Sequence, residues 1–210
     1  MIRILSPRII SRRLRPSAVT PMATTRRRSS SWEEALGDDE VSEGLRQWAV
    51  REWDETEEPY VDLFSHPLTK ECSDWLKAQP NPSHHLANAY FGSPRFAPER
   101  MLLTLLPRFS NHATLPTRFE KGDNVLAWTV KHQTPLQVIC EWGNESFGRG
   151  GTMVAFDPER RRVLHGNCME AWASRSLGFR ALTGFHVYYA KFLLGGMAGK
   201  LEQEAAESPK

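Results

Sequence analysis

The hydrophobic pattern near the end of the chain predicts one long helix over residues 180–204. Apolar residues recur there every three or four positions, the spacing that gathers side chains on one face of a helix. The stripe consists of Leu182, Phe185, Tyr189, Phe192 and Gly196, and it is widened by Val187, Ala190 and Leu194. A helix this apolar needs cover on most of its sides, so we expect the preceding chain to fold against it.

Residues 115–172 change to a period of two, which predicts antiparallel strands. Alternation is clearest where Leu136, Val138, Cys140 and Trp142 alternate with Gln137 and Glu141. Turn-forming sequences at 121–124 and 157–160 separate the strands. Residues 143–151, which contain four glycines, are expected to form a flexible loop. The pattern predicts four or five strands, the last of them over residues 161–172.

Shorter elements are predicted before the sheet. Residues 60–64 have the composition of a strand. A short helix is expected after Thr69, and another is expected to begin at Pro98 and to end before Pro107. The apolar face of that second helix consists of Met101, Leu102, Leu105 and Leu106. Residues 81–94 are predicted to be mainly loop, with at most one helical turn.

A further helix is predicted within residues 32–58, where Asp38 and Asp39 would cap its start. Its apolar face is formed by Val41, Leu45, Trp48 and Ala49. The many acidic residues of this segment would face solvent. We interpret it as an adaptor helix that lies on the main domain.

The order of these elements predicts an α+β fold. It consists of a curved antiparallel sheet wrapped on a long C-terminal helix, the helix-grip shape, with short N-terminal helices. Such a shape leaves room for a cavity between sheet and helix. The expected divisions are a basic tail (1–31), the acidic helix (32–58), the helix-grip domain (59–204) and a frayed end (205–210).

Charge is distributed unevenly along the chain. The net charge is +2, but residues 1–31 contain eight arginines and no acid. Without those eight, 19 basic residues remain against 25 acidic ones, a balance of −6. A nucleic-acid-binding domain needs a clustered positive face, so this balance argues against nucleic acid as a partner.

The composition of residues 1–31 is typical of an organellar transit peptide, rich in Arg and Ser and free of acids. The alternative is a disordered basic tail. The predicted address is the mitochondrion; a plastid is the alternative, and a product that starts at Met22 would be cytoplasmic. No apolar run here is long enough for a secretory signal.

The sequence contains no pattern that predicts a metal or a cofactor. Cys72, Cys140 and Cys168 are far apart and are interpreted as reduced thiols. His84 and His85 are adjacent, which does not suit a metal site on a rigid element. Catalysis by a cysteine would also need a basic partner at a recognised spacing, and none is present.

Several motifs resemble the family called domain of unknown function 2867. They are the strand YVDLF at 60–64, the Leu-rich helix within 97–108, the turn FEKGD at 119–123, and LTGFHVYYAKFLL at 182–194. The family carries proline where this chain has Thr183 and Gly184, and the loop at 143–151 lacks the acidic-His stretch of the family. Over residues 60–200 the resemblance implies a START-like or polyketide-cyclase-like helix-grip fold with a cavity, and no agreed reaction.

Five residues are candidates for the cavity lining: Trp128, Trp142, Cys168, His186 and Tyr189. His186 lies among aromatic residues and would offer a group that exchanges a proton near neutral pH. The alternative for His186 is a structural hydrogen bond to the sheet. For the aromatic residues and the cysteine the alternative is ordinary core packing.

A membrane span over residues 181–199 is the other interpretation of this apolar stretch, because Gly195 and Gly199 have a spacing found in packed membrane helices. His186 and Lys191 oppose it, since a charge at mid-bilayer costs about 3 kcal/mol. No transmembrane span is therefore expected. Gly195 and Gly196 would instead let the sheet approach the helix, or kink it.

Three functions follow from these features. The first is an organellar protein that binds a small apolar or amphipathic ligand in the cavity. The second is a cyclase or isomerase that uses the same cavity with His186 or Glu170 as acid or base. The third is a non-catalytic assembly factor that docks through its acidic N-terminal helix.

Overall fold

A six-stranded antiparallel sheet forms the centre of the fold in the computed structural model, which describes residues 39–54, 56–105, 115–116, 118–144 and 148–208. The strands are β1 (Tyr60–Pro67), β2 (Asn124–Val125), β3 (Trp128–Thr134), β4 (Gln137–Asn144), β5 (Gly148–Asp157) and β6 (Arg162–Met169). Their order across the sheet is β1-β6-β5-β4-β3-β2, so β1 and β2 are edges and the curved sheet does not close. The predicted transit peptide, residues 1–31, lies outside the described residues.

Helices complete the described part of the chain. They are α1 (Asp39–Trp53), α2 (Lys70–Lys77), α3 (Pro82–Gly92), α4 (Ala97–Thr104), α5 (Ala171–Ser174) and α6 (Leu177–Glu207), with a 3-10 turn at Pro94–Phe96. This arrangement confirms the predicted fold class: α+β, with a curved antiparallel sheet, a long C-terminal helix and short N-terminal helices.

Helices cover both faces of the sheet. Helices α2, α3 and α6 pack on one face, called here the inner face, and form the larger core with residues such as Phe91, Val138 and Met197. Helix α1 packs on the opposite, outer face through Leu45 and Trp48, as its predicted apolar pattern implies. Since both faces are covered, β5 and β6 are buried along almost their whole length.

Helix α6 has two halves with different surroundings. It begins after Ser176, whose hydroxyl accepts a hydrogen bond from Phe179 N, and it runs for 31 residues, longer than predicted at both ends. One face of its second half, with Leu194, Met197 and Leu201, is buried in the inner core. In the first half, by contrast, Leu177 is 83% exposed and Tyr188 68% exposed. The apolar excess of this helix is therefore only partly used in the core.

The glycine-rich segment 143–151 is not the long loop that the sequence predicts. Most of it belongs to the hairpin of β4 and β5, and Gly150 and Gly151 pair within the sheet. A methyl group on Gly151 would lie 2.6 Å from Cys168 Sγ and 2.8 Å from the Trp48 ring, and one on Gly150 would collide with Trp142. These glycines leave space for neighbouring side chains.

Other local predictions are corrected by the structure. Residues 82–92 form the buried helix α3, where the sequence predicted mainly loop. The last strand ends at Met169, because Glu170 begins the short helix α5. The predicted apolar face of α4 is exposed at Met101, Leu102 and Leu105; Leu106 lies outside the described residues.

Gly195 and Gly196 also have a different neighbour from the one expected. They face Arg95 of the 3-10 turn, not the sheet. The Arg95 guanidinium donates a hydrogen bond to the carbonyl of Phe192 at 3.0 Å and lies over the Phe192 ring.

Candidate functional site

A cavity of about 410 Å³ lies between the inner face of the sheet and helix α6. Strands β3 to β6 form its floor, α6 crosses above it, and α3 and α4 close its sides. The lining is mainly apolar. Among its members are Ala127, Trp128, Trp142, Leu103, Tyr189 and Leu193. A polar depression of about 580 Å³ beside His84 and Gln133 is larger but more open to solvent, so it is the weaker candidate.

A chain of hydrogen bonds runs across the floor of this cavity. The indole nitrogens of Trp128 and Trp142 both donate to Thr152 Oγ1, at 3.3 and 3.2 Å. The Thr152 hydroxyl in turn donates to Asn167 Oδ1 at 3.5 Å. Asn167 Nδ2 then donates to Asp62 Oδ1 at 3.0 Å. Thr152 accepts from both indoles and donates to Asn167, which in turn donates to Asp62, so the orientations of these side chains support one another.

Asp62, on the edge strand β1, accepts four hydrogen bonds. Two come from the backbone and side-chain nitrogens of Asn167. The others reach Oδ2 from Tyr60 at 3.0 Å and from His186 Nε2 at 2.9 Å. Burial alone would raise the pKa of Asp62, but the hydrogen bond and the charge of His186, together with the hydrogen bond from Asn167, outweigh burial and lower that pKa. Asp62 is therefore ionised at neutral pH.

His186 has one defined orientation because of Asp62. The ionised carboxylate only accepts, so Nε2 of His186 carries the hydrogen. In the neutral ring Nδ1 then has the free lone pair, and no hydrogen bond to Nδ1 occurs among the described residues. The alternative considered from the sequence, a bond from His186 to a sheet carbonyl, is replaced by this bond to a sheet carboxylate.

A second carboxyl group, Glu99 of α4, lies on the side of the cavity formed by α4 and α6. Its Oε2 accepts a hydrogen bond from the hydroxyl of Tyr189 at 2.7 Å. Burial raises the pKa of Glu99, and the bond from Tyr189 offsets part of that rise. Within the part of the chain that the structure describes, Oε1 of Glu99 has no hydrogen-bond donor.

His165, on β6, is a buried neutral histidine at the back of the cavity. Its Nδ1 lies 3.3 Å from the carbonyl of Ala190, which can only accept, so Nδ1 carries the hydrogen. Nε2 then accepts from the hydroxyl of Tyr90 at 3.2 Å. Burial lowers the pKa of His165 to about 4.

The structure brings together four of the five predicted cavity residues. Trp128, Trp142, His186 and Tyr189 line the same cavity. Cys168 does not, and its predicted place in the lining is wrong. It lies on the outer face with Trp48, because His165 and Asn167 occupy the inward positions of β6 and Cys168 has the opposite parity.

Glu170, considered from the sequence as an acid or base in the cavity, lies elsewhere. Its carboxylate accepts hydrogen bonds from the backbone and guanidinium nitrogens of Arg149 and from Trp172 Nε1. These contacts fix the start of α5 against β5. Glu170 therefore has a structural role, as the ion-pair partner of Arg149.

Several polar members of the site were not identified from the sequence. They are Asp62, Tyr90, Glu99, Thr152, His165 and Asn167. Asp62 had one usable signal, because an acid in the middle of an apolar strand at 60–64 needs a partner when it is buried. The others looked like ordinary polar residues of a helix or strand.

Comparison with family models, with curated proteins and with solved structures found no match in any of the three. None of the helices formed by the described residues has both the length and the hydropathy needed to cross a bilayer. In that same part of the chain no three His, Cys, Asp or Glu side chains are grouped as metal ligands would be. The cavity and its polar groups are therefore the features of the described residues that bear on function.

Proposed function

We propose that the protein binds a small apolar or amphipathic molecule in the cavity between the sheet and α6. The observation that carries this proposal is a mainly apolar cavity of about 410 Å³ whose polar groups converge on it in connected hydrogen bonds. Small-molecule sites have this character: concave, mostly apolar, about 300–1,000 Å³, with a few fixed polar groups.

The walls suit a ligand with an apolar body. Trp128 and Trp142 have their indole nitrogens already bonded to Thr152, so their remaining ring surface is available for apolar contact. The polar groups that remain for a ligand lie toward α4 and α6, at Glu99, Tyr189 and His186. An amphipathic molecule would place its polar end there.

Native mass spectrometry of the full chain purified from several expression hosts tests this proposal. We expect a bound small molecule, or binding of added apolar compounds, that is lost in Ala127→Trp, where the new ring fills the cavity. Leu136→Trp, at a partly exposed turn away from the cavity, is the matched control. Ligand-free protein in every host, together with no uptake of added compounds, would count against a carrier.

A second function, proton transfer to a bound ligand, is favoured by the pair formed by His186 and Asp62. The carboxylate fixes the imidazole tautomer and would stabilise the imidazolium that forms when Nδ1 accepts a proton. A cyclase or an isomerase needs such a step. The test is exchange of ligand C–H for deuterium in heavy water; equal exchange with wild type and His186→Gln would exclude this role for His186.

The proposed location is the mitochondrion, supported by the arginine-rich, acid-free composition of residues 1–31. A fluorescent reporter fused after residue 31 tests it. Import into mitochondria is expected, and import into plastids in a plant cell is the alternative outcome. A diffuse cytosolic signal would contradict the transit peptide.

A further inference from the structure

Among the described residues, the carboxyl groups that line the cavity or lie directly behind its lining are not matched by a lysine or an arginine. Glu99 lines the cavity directly, and Asp62 lies immediately behind His186. No lysine or arginine is among the described residues that line it. His165 is buried and neutral, and a proton on His186 would be neutralised by the carboxylate 2.9 Å away. A bound anion would therefore find no positive charge to pair with among the described residues that line the cavity.

One carboxyl oxygen of Glu99 accepts a hydrogen bond, and the other accepts none from the described residues. Tyr189 donates to Oε2 and thereby holds the carboxyl group in place. Oε1 has no donor among the described residues, and the Glu99 side chain is half-buried at the wall of the cavity. A carboxyl oxygen in such surroundings is stabilised by a donor that a ligand brings, and most strongly by a charged N–H donor.

Aromatic rings line the same cavity. Trp128, Trp142 and Tyr189 contribute indole and phenol rings within one space of about 410 Å³. The negative faces of such rings attract cations, and this attraction adds to that of a carboxylate. A neutral or anionic head group would not be attracted to the rings and the carboxylate in this way.

From these three observations we infer that the ligand carries a positively charged amine or ammonium group, which pairs with Glu99 while its apolar body lies against Trp128 and Trp142. This inference rests on the proposed function, because it names the chemical class of the molecule bound in that cavity. By the same reasoning, the described lining residues favour such a cation over a carboxylate, a phosphate or a sulfate.

The test is calorimetric titration of the full chain at neutral pH with matched compounds. Octyl, naphthylmethyl and adamantyl bodies are each used with an ammonium, a hydroxymethyl or a carboxylate head group. For the bodies that bind, we expect the ammonium compound to bind at least about tenfold more tightly than the alcohol, and the carboxylate to be weakest.

Glu99→Gln should remove this preference. It keeps the shape of the side chain, so we expect alcohol binding to change less than about twofold while ammonium binding falls about tenfold to the level of the alcohol. Glu71→Gln, at an exposed position of α2, changes the net charge equally and should leave the whole series unchanged. The ranking of head groups in the wild type tests the inference even if Glu99→Gln folds poorly.

The outcomes separate this inference from the proposed function. If alcohols or carboxylates bind as tightly as the ammonium compounds, the inference is overturned and the binding function stands. A preference for ammonium that survives in a folded Glu99→Gln also overturns it. If no compound of any head group binds, the proposed function fails, and the inference fails with it.

Discussion

Nε2 of His186 lies 2.9 Å from Oδ2 of Asp62, and this bond joins helix α6 to the edge strand β1 across 124 positions of the chain. Asp62 is also held by Asn167 on the neighbouring strand β6. The carboxylate is thus the point where helix, strand and cavity floor meet. It fixes the orientation of His186 beside the cavity.

Replacing this carboxylate by an amide should destabilise the fold in a pH-dependent way. The pKa of Asp62 is lowered on folding, so its stabilising effect is complete above the unfolded value, about 3.9, and is lost as the pH falls through the lower folded value. We expect Asp62→Asn to lower the free energy of unfolding by about 2 kcal/mol at pH 6. The difference from wild type should shrink below about pH 4.

Urea unfolding over a series of pH values measures this difference. Glu159→Gln removes one negative charge from an exposed turn and serves as the control, with little change expected at any pH. The free energies of unfolding of wild type and Asp62→Asn could instead differ by the same amount from pH 6 to well below pH 4. That result would show that the charge of Asp62 does not stabilise the fold.

His165 predicts a second pH dependence, in a higher range. Its pKa is lowered to about 4 in the folded protein, whereas an unfolded histidine has a pKa of about 6.5. Between these values only the unfolded chain takes up the proton, so the free energy of unfolding falls as the pH falls, by on the order of 3 kcal/mol over the whole interval. We expect His165→Gln to weaken this dependence of the free energy of unfolding on pH. His66→Gln, at an exposed position, is the control and should leave the dependence unchanged. Parallel slopes for wild type and His165→Gln would refute the assignment.

The fold was largely predictable because its strongest signals are periodic. The apolar spacing of residues 180–204 predicted α6, and the alternation from Leu136 to Trp142 predicted β4. Periodicity failed at Gly150 and Gly151. Glycine ordinarily marks a loop, but here the missing side chain leaves room for the side chains of Trp142, Trp48 and Cys168. These three residues lie on other elements, so no local pattern reveals the contact.

The steric role of Gly151 can be tested with a pair of alanine substitutions. Gly151→Ala should lower the free energy of unfolding by about 2 kcal/mol, because the added methyl collides with Cys168 and Trp48. Gly199→Ala, on the exposed face of α6 with no atom near the new methyl, should raise it by about 0.5–1 kcal/mol. Thermal unfolding of both variants compares them directly. Equal effects would contradict the proposed packing.

The buried hydroxyl of Ser73 predicts a substitution that stabilises the fold. Its side chain is fully buried on α2, and its hydroxyl has no hydrogen-bond partner among the described residues. Burying an unpaired hydroxyl is unfavourable, so Ser73→Ala should raise the free energy of unfolding by about 1 kcal/mol. Ser83→Ala is the comparison, because Ser83 is buried but its hydroxyl accepts a hydrogen bond from Gln133. Destabilisation by Ser73→Ala would indicate an unrecognised partner.

The site was less predictable than the fold, and β6 shows the physical reason. Both faces of this strand are buried, so hydrophobic alternation does not distinguish the cavity side from the side covered by α1. The sequence therefore placed Cys168 in the cavity and overlooked His165 and Asn167. The pairing of Asp62 with His186 depends on the fold of the chain between them, which no local pattern encodes.

The most direct test of the central claim, that the cavity binds a small molecule, is an NMR titration of the indole N–H signals of the full chain. Octyl, naphthylmethyl and adamantyl ammonium compounds and their alcohols serve as ligands. We predict that the signals of Trp128 and Trp142, whose N–H groups bond to Thr152 in the cavity floor, shift with saturation. The signals of Trp53 and Trp172, which bond to Glu141 and Glu170 away from the cavity, should not. Shifts confined to Trp53 and Trp172, or no saturable shift with any compound, would contradict the claim.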